Sequence, residues 1–280
     1  MPAADRLALR EALVLGALHG PAELLPISSS GHVTLLPWLL GSNYGQLDAE
    51  LRKTFEVALH AGTAAALLIT LRAEVQEAMQ TMSWRLGQLI VLSFGPPAIV
   101  GYKLERQIER RLGTPATVAA GLICGSVVMA WADRAPQVRR TQDAGASDAL
   151  WLGLAQACAL VPGVSRNGAT LAAARRRQFT RADANQLSRH VALPVIAGAT
   201  VLKGRRLARP GLAPGTGRSF AVGAAASFAS TLGSTWLIRQ IERDGSLLPY
   251  AAYRTALALT VLGRLHRDRA WSGRYTTMAA

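Results

Sequence analysis

Glu23, Ser29, His32 and Arg166 are the residues of this chain whose types suit phosphoryl chemistry. Glu23 stands in "HGPAELLPISSSGH" (19–32), an apolar stretch without Lys or Arg. An ionisable side chain there is a functional candidate, because burying its charge is costly. His19 lies four residues earlier and shares a helix face with Glu23 if Gly20-Pro21 is absorbed. After Pro26 come Ser28, Ser29, Ser30 and Gly31, then a run that can restart a helix at about Val33. A restarting helix offers unpaired N–H groups and its positive dipole end to a phosphate. Serine hydroxyls add donors, glycine permits close backbone approach, and His32 can carry a proton or attack phosphorus. Taken alone, the segment reads rather as an ordinary serine N-cap beside a satisfied histidine. A second cluster, "PGVSRNGAT" (162–170), offers Ser165, Asn167, Gly168 and Thr170 around Arg166. Arginine's planar fork suits phosphate oxygens and stays charged. Together the two segments make an anion site with the parts phosphoryl transfer needs: charge neutralisation, a nucleophile, and an acid or base.

The elements that must position these residues are proline-broken helices. Residues 5–18 have apolar positions at helical spacing, and Gly20-Pro21, Pro26 and Pro37 then interrupt the chain. Residues 41–53 read as a polar loop, 54–71 as a helix, and the stretch to 87 as a charged connection. Runs 88–102 and 115–132 follow, then the polar linker "ADRAPQVRRTQDAGASD". Residues 149–174 repeat the theme, with a helix broken at Pro162-Gly163, small polar residues and a resumed helix. Two interrupted segments in corresponding halves point to a site between inverted repeats. The expected fold is therefore all-α: a polytopic membrane helix bundle forming one domain over 1–280, with pseudo-repeats of about 1–132 and 149–263, each holding a broken, re-entrant helix pair. A soluble helical protein is the alternative, because only 115–132 and 219–238 reach the roughly 17 residues a short span needs.

Composition bounds the partners. The 280 residues are 50% hydrophobic and only 17% charged, and the charges are gathered in short blocks. The net charge is +14, and the basic blocks "KLERQIERR", "RRRQFTR" and "KGRRLARP" are spaced between apolar runs as membrane loops would be. Aromatics are 6% and no nucleic-acid motif is present, which excludes that class. Cys124 and Cys158 lie in apolar runs without metal spacing and are expected to be buried. The N-terminus lacks signal-peptide features and reads as a first helix.

"AELLPISSSGHVTLL" and "PGVSRNGATLAAA" closely resemble the two signature regions of the undecaprenyl-diphosphate phosphatases, the bacitracin-resistance integral membrane phosphatases. "KTFEVALHAGT" (53–63) resembles that family's next segment, and "FAVGAAASF" and "LLPYAAYRTALAL" its C-terminal helices. The resemblance implies an enzyme hydrolysing undecaprenyl diphosphate to undecaprenyl phosphate and phosphate, which recycles the carrier lipid for cell-wall synthesis. It implies a multi-pass protein of the bacterial cytoplasmic (inner) membrane, with its site open to the outer face. By motif position, Glu23, Ser29, His32 and Arg166 match the family's catalytic residues. Either Ser29, with His32 as proton carrier, or His32 itself is the nucleophile. Ser28, Ser30, Gly31, Ser165, Asn167, Gly168 and Thr170 surround the phosphate. The family is similar in depending on a divalent metal, Mg²⁺ or Ca²⁺, with Glu23 and His19 as ligands here. His19 departs from the pattern, since the family usually has an acidic or amide residue at that position, and Mg²⁺ prefers oxygen. His60, near Glu56, either lines the same cavity or pairs locally. Expected partners are the polyprenyl diphosphate lipid and the bilayer, with a homodimer as a further option. The alternative function is a polyprenyl-phosphate transporter or flippase, using the same pocket without hydrolysis.

Overall fold

The computed structural model describes residues 7–80, 83–207, 216–244 and 246–278. Twelve α-helices, with two short 3-10 turns and one β-bridge between Arg139 and Phe179, make up the regular structure among them. The first half holds α1 (Leu9–Leu24), α2 (Ser29–Leu39), α3 (Ala49–Thr70), α4 (Arg72–Gln80), α5 (Trp84–Leu112) and α6 (Pro115–Asp133). The second holds α7 (Ala146–Cys158), α8 (Arg166–Arg176), α9 (Arg181–Leu207), α10 (Thr216–Gly233), α11 (Trp236–Asp244) and α12 (Leu248–Met278). The basic block "KGRRLARP" runs out of the described residues at 208.

Short polar residues start these helices, because their side chains accept the first orphan N–H groups. Asp48 caps α3 at Glu50 and Leu51, Ser83 caps α5 at Leu86, and Thr114 with Thr117 forms a capping box ahead of Pro115. Helix α1 packs along α10, α10 along α3, α5 along α7 and α6 along α12, while α3 meets α9. The interior is unusually polar for a helical bundle: Thr63, Ser126, Gln156, Ser188, Ser227, Thr231, Arg175 and Arg254 are all buried. Outside, Leu13, Val14, Val91, Val127, Trp131, Trp151, Leu154 and Leu259 are exposed. Among the described residues one helix, α6, is both long and apolar enough to cross a membrane.

Several boundaries differ from the sequence expectation. Helix α1 runs through Gly20-Pro21 to Leu24: Pro21 gives up one backbone hydrogen bond, yet its own carbonyl still accepts from Leu25 N. The restart comes at Ser29, four residues before Val33. Helix α5 continues through Pro96-Pro97 and on to Leu112, taking in the block "KLERQIERR" expected as a loop. Helix α3 begins inside the supposed 41–53 loop, at Ala49. Cys124 and Cys158 are exposed rather than buried, on the apolar outer faces of α6 and α7. The "RRRQFTR" block is not simply a loop: α8 extends to Arg176, and Arg175 is buried, donating to the carbonyls of Ala135 and Phe179.

Candidate active site

Both broken segments use the same local device. The chain leaves α1 through Leu25 in an extended conformation and re-enters α2 at Ser28, whose φ of 76° is rare for a residue with a side chain. Ser28 Oγ accepts from Gly31 N at 3.2 Å. In the second segment Gly163 takes φ 91°, and a Cβ there would lie 2.2 Å from the Val118 carbonyl, so only glycine lets the turn press on α6. Ser165 Oγ then accepts from Gly168 N at 3.1 Å. Each turn thus ends in a serine cap followed by a glycine at the third helical position, with a new helix N-terminus beside it.

The two turns meet at Glu23. Arg166 Nη2 donates to Glu23 Oε1 at 2.7 Å, and Ser29 Oγ donates to Glu23 Oε2 at 2.5 Å. Asn167 Nδ2 donates to the Leu24 carbonyl at 2.7 Å, stitching α8 to the end of α1. Ser188 on α9 donates to Asn167 Oδ1 at 3.0 Å and orients that amide. These groups open on a cavity of about 270 Å³. Its polar wall is Glu23, Ser28, Ser29, Ser30, Lys53, Glu56, His60, Ser165, Arg166 and Asn167; Leu160, Pro162, Val164, Val195 and Ile196 form an apolar side.

Not every residue singled out in the sequence faces this space. Gly31 and Gly168 spend their N–H groups on the serine caps and lie outside the lining. Thr170 is fully buried, bonded to the carbonyls of Arg166 and Asn167 and to Ser188 Oγ. His32 is also outside the lining and 1% exposed. Its Nδ1 contacts the Ser28 carbonyl at 2.7 Å, and a carbonyl can only accept, so Nδ1 carries the proton. Its Nε2 is 2.7 Å from the Tyr253 hydroxyl and, in the neutral ring, accepts from it, with the two rings stacked at 5.6 Å. His60 does line the cavity, and its ring meets His19 edge-on at 4.6 Å.

Two residues that sequence reasoning passed over complete the frame. Arg254 on α12 is fully buried, donating to the carbonyls of Pro26 (3.2 Å), Leu122 (3.3 Å) and Gly163 (3.0 Å), so one guanidinium holds both turns against α6. Tyr253, its neighbour, is the partner of His32. The signal was present: a lone cation in the apolar run "LLPYAAYRTALAL".

With this geometry in view, the comparisons with known proteins become specific. A profile of the family described as "Bacitracin resistance protein BacA" matches residues 12–260. The chain belongs to that family. Among curated relatives it is 38% identical to the undecaprenyl-diphosphatase of Geobacter sulfurreducens, over 92% of this chain and 98% of that one. It is 36% identical to the Geobacter metallireducens protein of the same name, over 90% and 96% of the two chains. The Acidovorax ebreus undecaprenyl-diphosphatase is 34% identical over 97% and 98%.

The Mg²⁺ or Ca²⁺ that the resemblance implies does not fit the donors gathered where Glu23 and His60, which line the cavity, meet the buried His19 behind it. His19, Glu23 and His60 each bring one ligand atom within 4.8 Å of the others, so two of the three donors are imidazole nitrogens. Mg²⁺ and Ca²⁺ take oxygen ligands. Glu23 supplies the one carboxylate of the set.

Proposed function

We propose that this chain hydrolyses undecaprenyl diphosphate to undecaprenyl phosphate and phosphate. The observation that carries the reading is the Ser29–Glu23–Arg166 contact, in which a hydroxyl and a guanidinium share one carboxylate in the wall of a cavity, beside two helix N-termini. Glu23 Oε2 is placed to take the Ser29 proton as Oγ attacks the terminal phosphorus. The bond from that phosphorus to the bridging oxygen breaks, and undecaprenyl phosphate leaves. Glu23 passes that proton on to the departing phosphate oxygen. Water then attacks the phosphoserine; Glu23 accepts a proton from it and returns one to Ser29 Oγ as the phosphorus–Oγ bond breaks. Inorganic phosphate is released with the serine restored. Arg166 sits where charge grows on the equatorial oxygens, and the Ser28 and Ser30 hydroxyls and the first N–H groups of α2 add donors. His32 holds the Ser28 carbonyl, and so the turn that presents Ser29.

In this reading the bundle is a multi-pass protein of the bacterial cytoplasmic membrane, its cavity open to the outer face as the resemblance implies. The exposed apolar residues on α1, α5, α6, α7 and α12 support a lipid-facing surface. The halves are read as inverted repeats, with α1–α2 answering α7–α8. Their identical serine-glycine caps support this, as does the packing of α1 on α10 and α7 on α5.

The test is phosphate release from undecaprenyl or farnesyl diphosphate by the purified chain in detergent. Ser29→Ala and Glu23→Gln should each lower turnover by about 10²–10⁴-fold with the fold intact. Undiminished turnover in both variants removes the assignment. Tight headgroup binding with no release from the unaltered protein would instead favour carriage of the lipid.

A further inference from the structure

The donors clustered around Glu23 suit a different ion from the one the family resemblance implies. We propose that His19, Glu23 and His60 bind a zinc-class dication, with imidazole nitrogens as two of its three protein ligands. Its use in turnover rests on the diphosphatase reading; the binding does not.

The positions follow from the helices. His19 and Glu23 are four apart on α1 and face the same way. His60 comes from α3, which approaches because small residues line the contacts with α10. A Cβ on Gly62 would lie 2.2 Å from the Ala224 carbonyl, and one on Gly20 would lie 2.3 Å from Ser230 Oγ. The three donor atoms fall within 4.8 Å of one another, and the two rings meet at 86°. Ligands about 2.0–2.1 Å from a tetrahedral Zn²⁺ stand roughly 3.3 Å apart, so modest side-chain rotation closes the set. Two imidazoles and one carboxylate, with remaining positions left to water or substrate, is a recurrent catalytic zinc arrangement.

The hydroxyls behind His19 fix which of its nitrogens is free to ligate. Ser227 Oγ donates to the Leu59 carbonyl at 3.0 Å, which uses its only proton. The Thr63–Ser227 contact at 2.8 Å must then be donated by Thr63, which uses the threonine proton as well. Neither hydroxyl has a proton left for His19, whose Nδ1 lies 3.0 Å from Thr63 Oγ1 and 3.2 Å from Ser227 Oγ. His19 Nδ1 is therefore the donor, and in the neutral ring the lone pair sits on Nε2. A histidine whose other N–H is anchored in this way is what metal sites use to orient a ligand. Glu23 remains competent beside Arg166 and Ser29, because each carboxylate oxygen has a second lone pair.

The experiment uses the full chain in detergent, stripped with chelator and titrated with Zn²⁺, Co²⁺ and Mg²⁺. Binding is read by calorimetry, by metal content after desalting, and by the visible spectrum of the Co²⁺ form. The expected result is one Zn²⁺ or Co²⁺ per chain at this site, with Mg²⁺ far weaker and a Co²⁺ spectrum typical of nitrogen ligation. His60→Ala should weaken Zn²⁺ binding by about 100-fold, and Thr63→Val by about 10-fold through the lost anchor of His19. If the alanine variant misfolds, the paired exchange His19→Glu with His60→Gln offers oxygen donors in a similar volume and should reverse the preference toward Mg²⁺. Zn²⁺ binding unchanged in His60→Ala, or Mg²⁺ binding the unaltered chain as tightly as Zn²⁺, overturns the proposal. Phosphate release measured on the same samples reports separately on the diphosphatase reading: Zn²⁺ bound at His60 without turnover would sink that reading and leave the site standing.

Discussion

The Glu23 carboxylate is the point on which the chemistry turns, and Arg166 sets its field. The guanidinium reaches Glu23 through Nη2 at 2.7 Å, leaving the rest of its planar fork to the cavity. A lysine there keeps the charge and loses the fork. Arg166→Lys should therefore lower kcat by about 100-fold with a smaller change in KM, measured by phosphate release at saturating and limiting substrate. Equal kinetics would mean that charge alone is used. Residue types made Glu23, Ser29 and Arg166 legible in the sequence, because each is out of place in an apolar segment. His32, Gly31, Gly168 and Thr170 read the same way, yet they face into the packing. Sequence shows that a polar group needs a partner and not which partner it finds: His32 finds Ser28 and Tyr253, and Thr170 finds Ser188.

At the scale of elements, the breaks were legible and their extents were not. Proline and glycine announced both turns, but Pro21, Pro96 and Pro97 lie inside continuous helices, where packing against neighbours outweighs one missing hydrogen bond. The fixing of the turns depends on α12, through Arg254 and its three carbonyls. A guanidinium satisfies several acceptors at once, so Arg254→Gln strands some of them in the interior, at about 1–3 kcal/mol for each group left unpaired. A total near 3 kcal/mol corresponds to a thermal midpoint lowered by roughly 6–12 °C, measurable by a melting assay in detergent. Gly163→Ala should also destabilise, because the added carbon meets the Val118 carbonyl at a backbone conformation that side chains avoid. An unaltered midpoint in both variants would show that the two turns hold without α12 and α6.

The whole molecule joins two environments: an apolar flank, and a charged end outside the apolar runs where Asp133 meets Arg181, Asp148 meets Arg139 and Arg177, and Asp183 meets Thr141 and Thr180. The sequence showed this end only as a polar linker and the separate basic block "RRRQFTR". It could not show that three carboxylates far apart in the chain would each collect an arginine or hydroxyl partner there. Asp148 is the most enclosed of these, gripped by both nitrogens of Arg139 at 2.9 and 2.8 Å, by Arg177 Nε at 2.6 Å and by Gly145 N at 2.9 Å. Burial alone would raise its carboxyl, but the hydrogen bonds from Arg139, Gly145 and Arg177 outweigh that and hold it at about 2, below the ordinary 3.8. Asp183 is also lowered, its burial outweighed by Thr180 and Thr141. A depressed carboxyl stabilises the fold fully above its unfolded value, and that contribution fades as pH falls through the folded one. The thermal midpoint should therefore hold steady down to about pH 4 and drop between about pH 4 and pH 2. In Asp148→Asn the protein starts less stable at neutral pH and shows a shallower acid limb. An identical acid limb in the variant would place the pH-sensitive contacts elsewhere in the bundle.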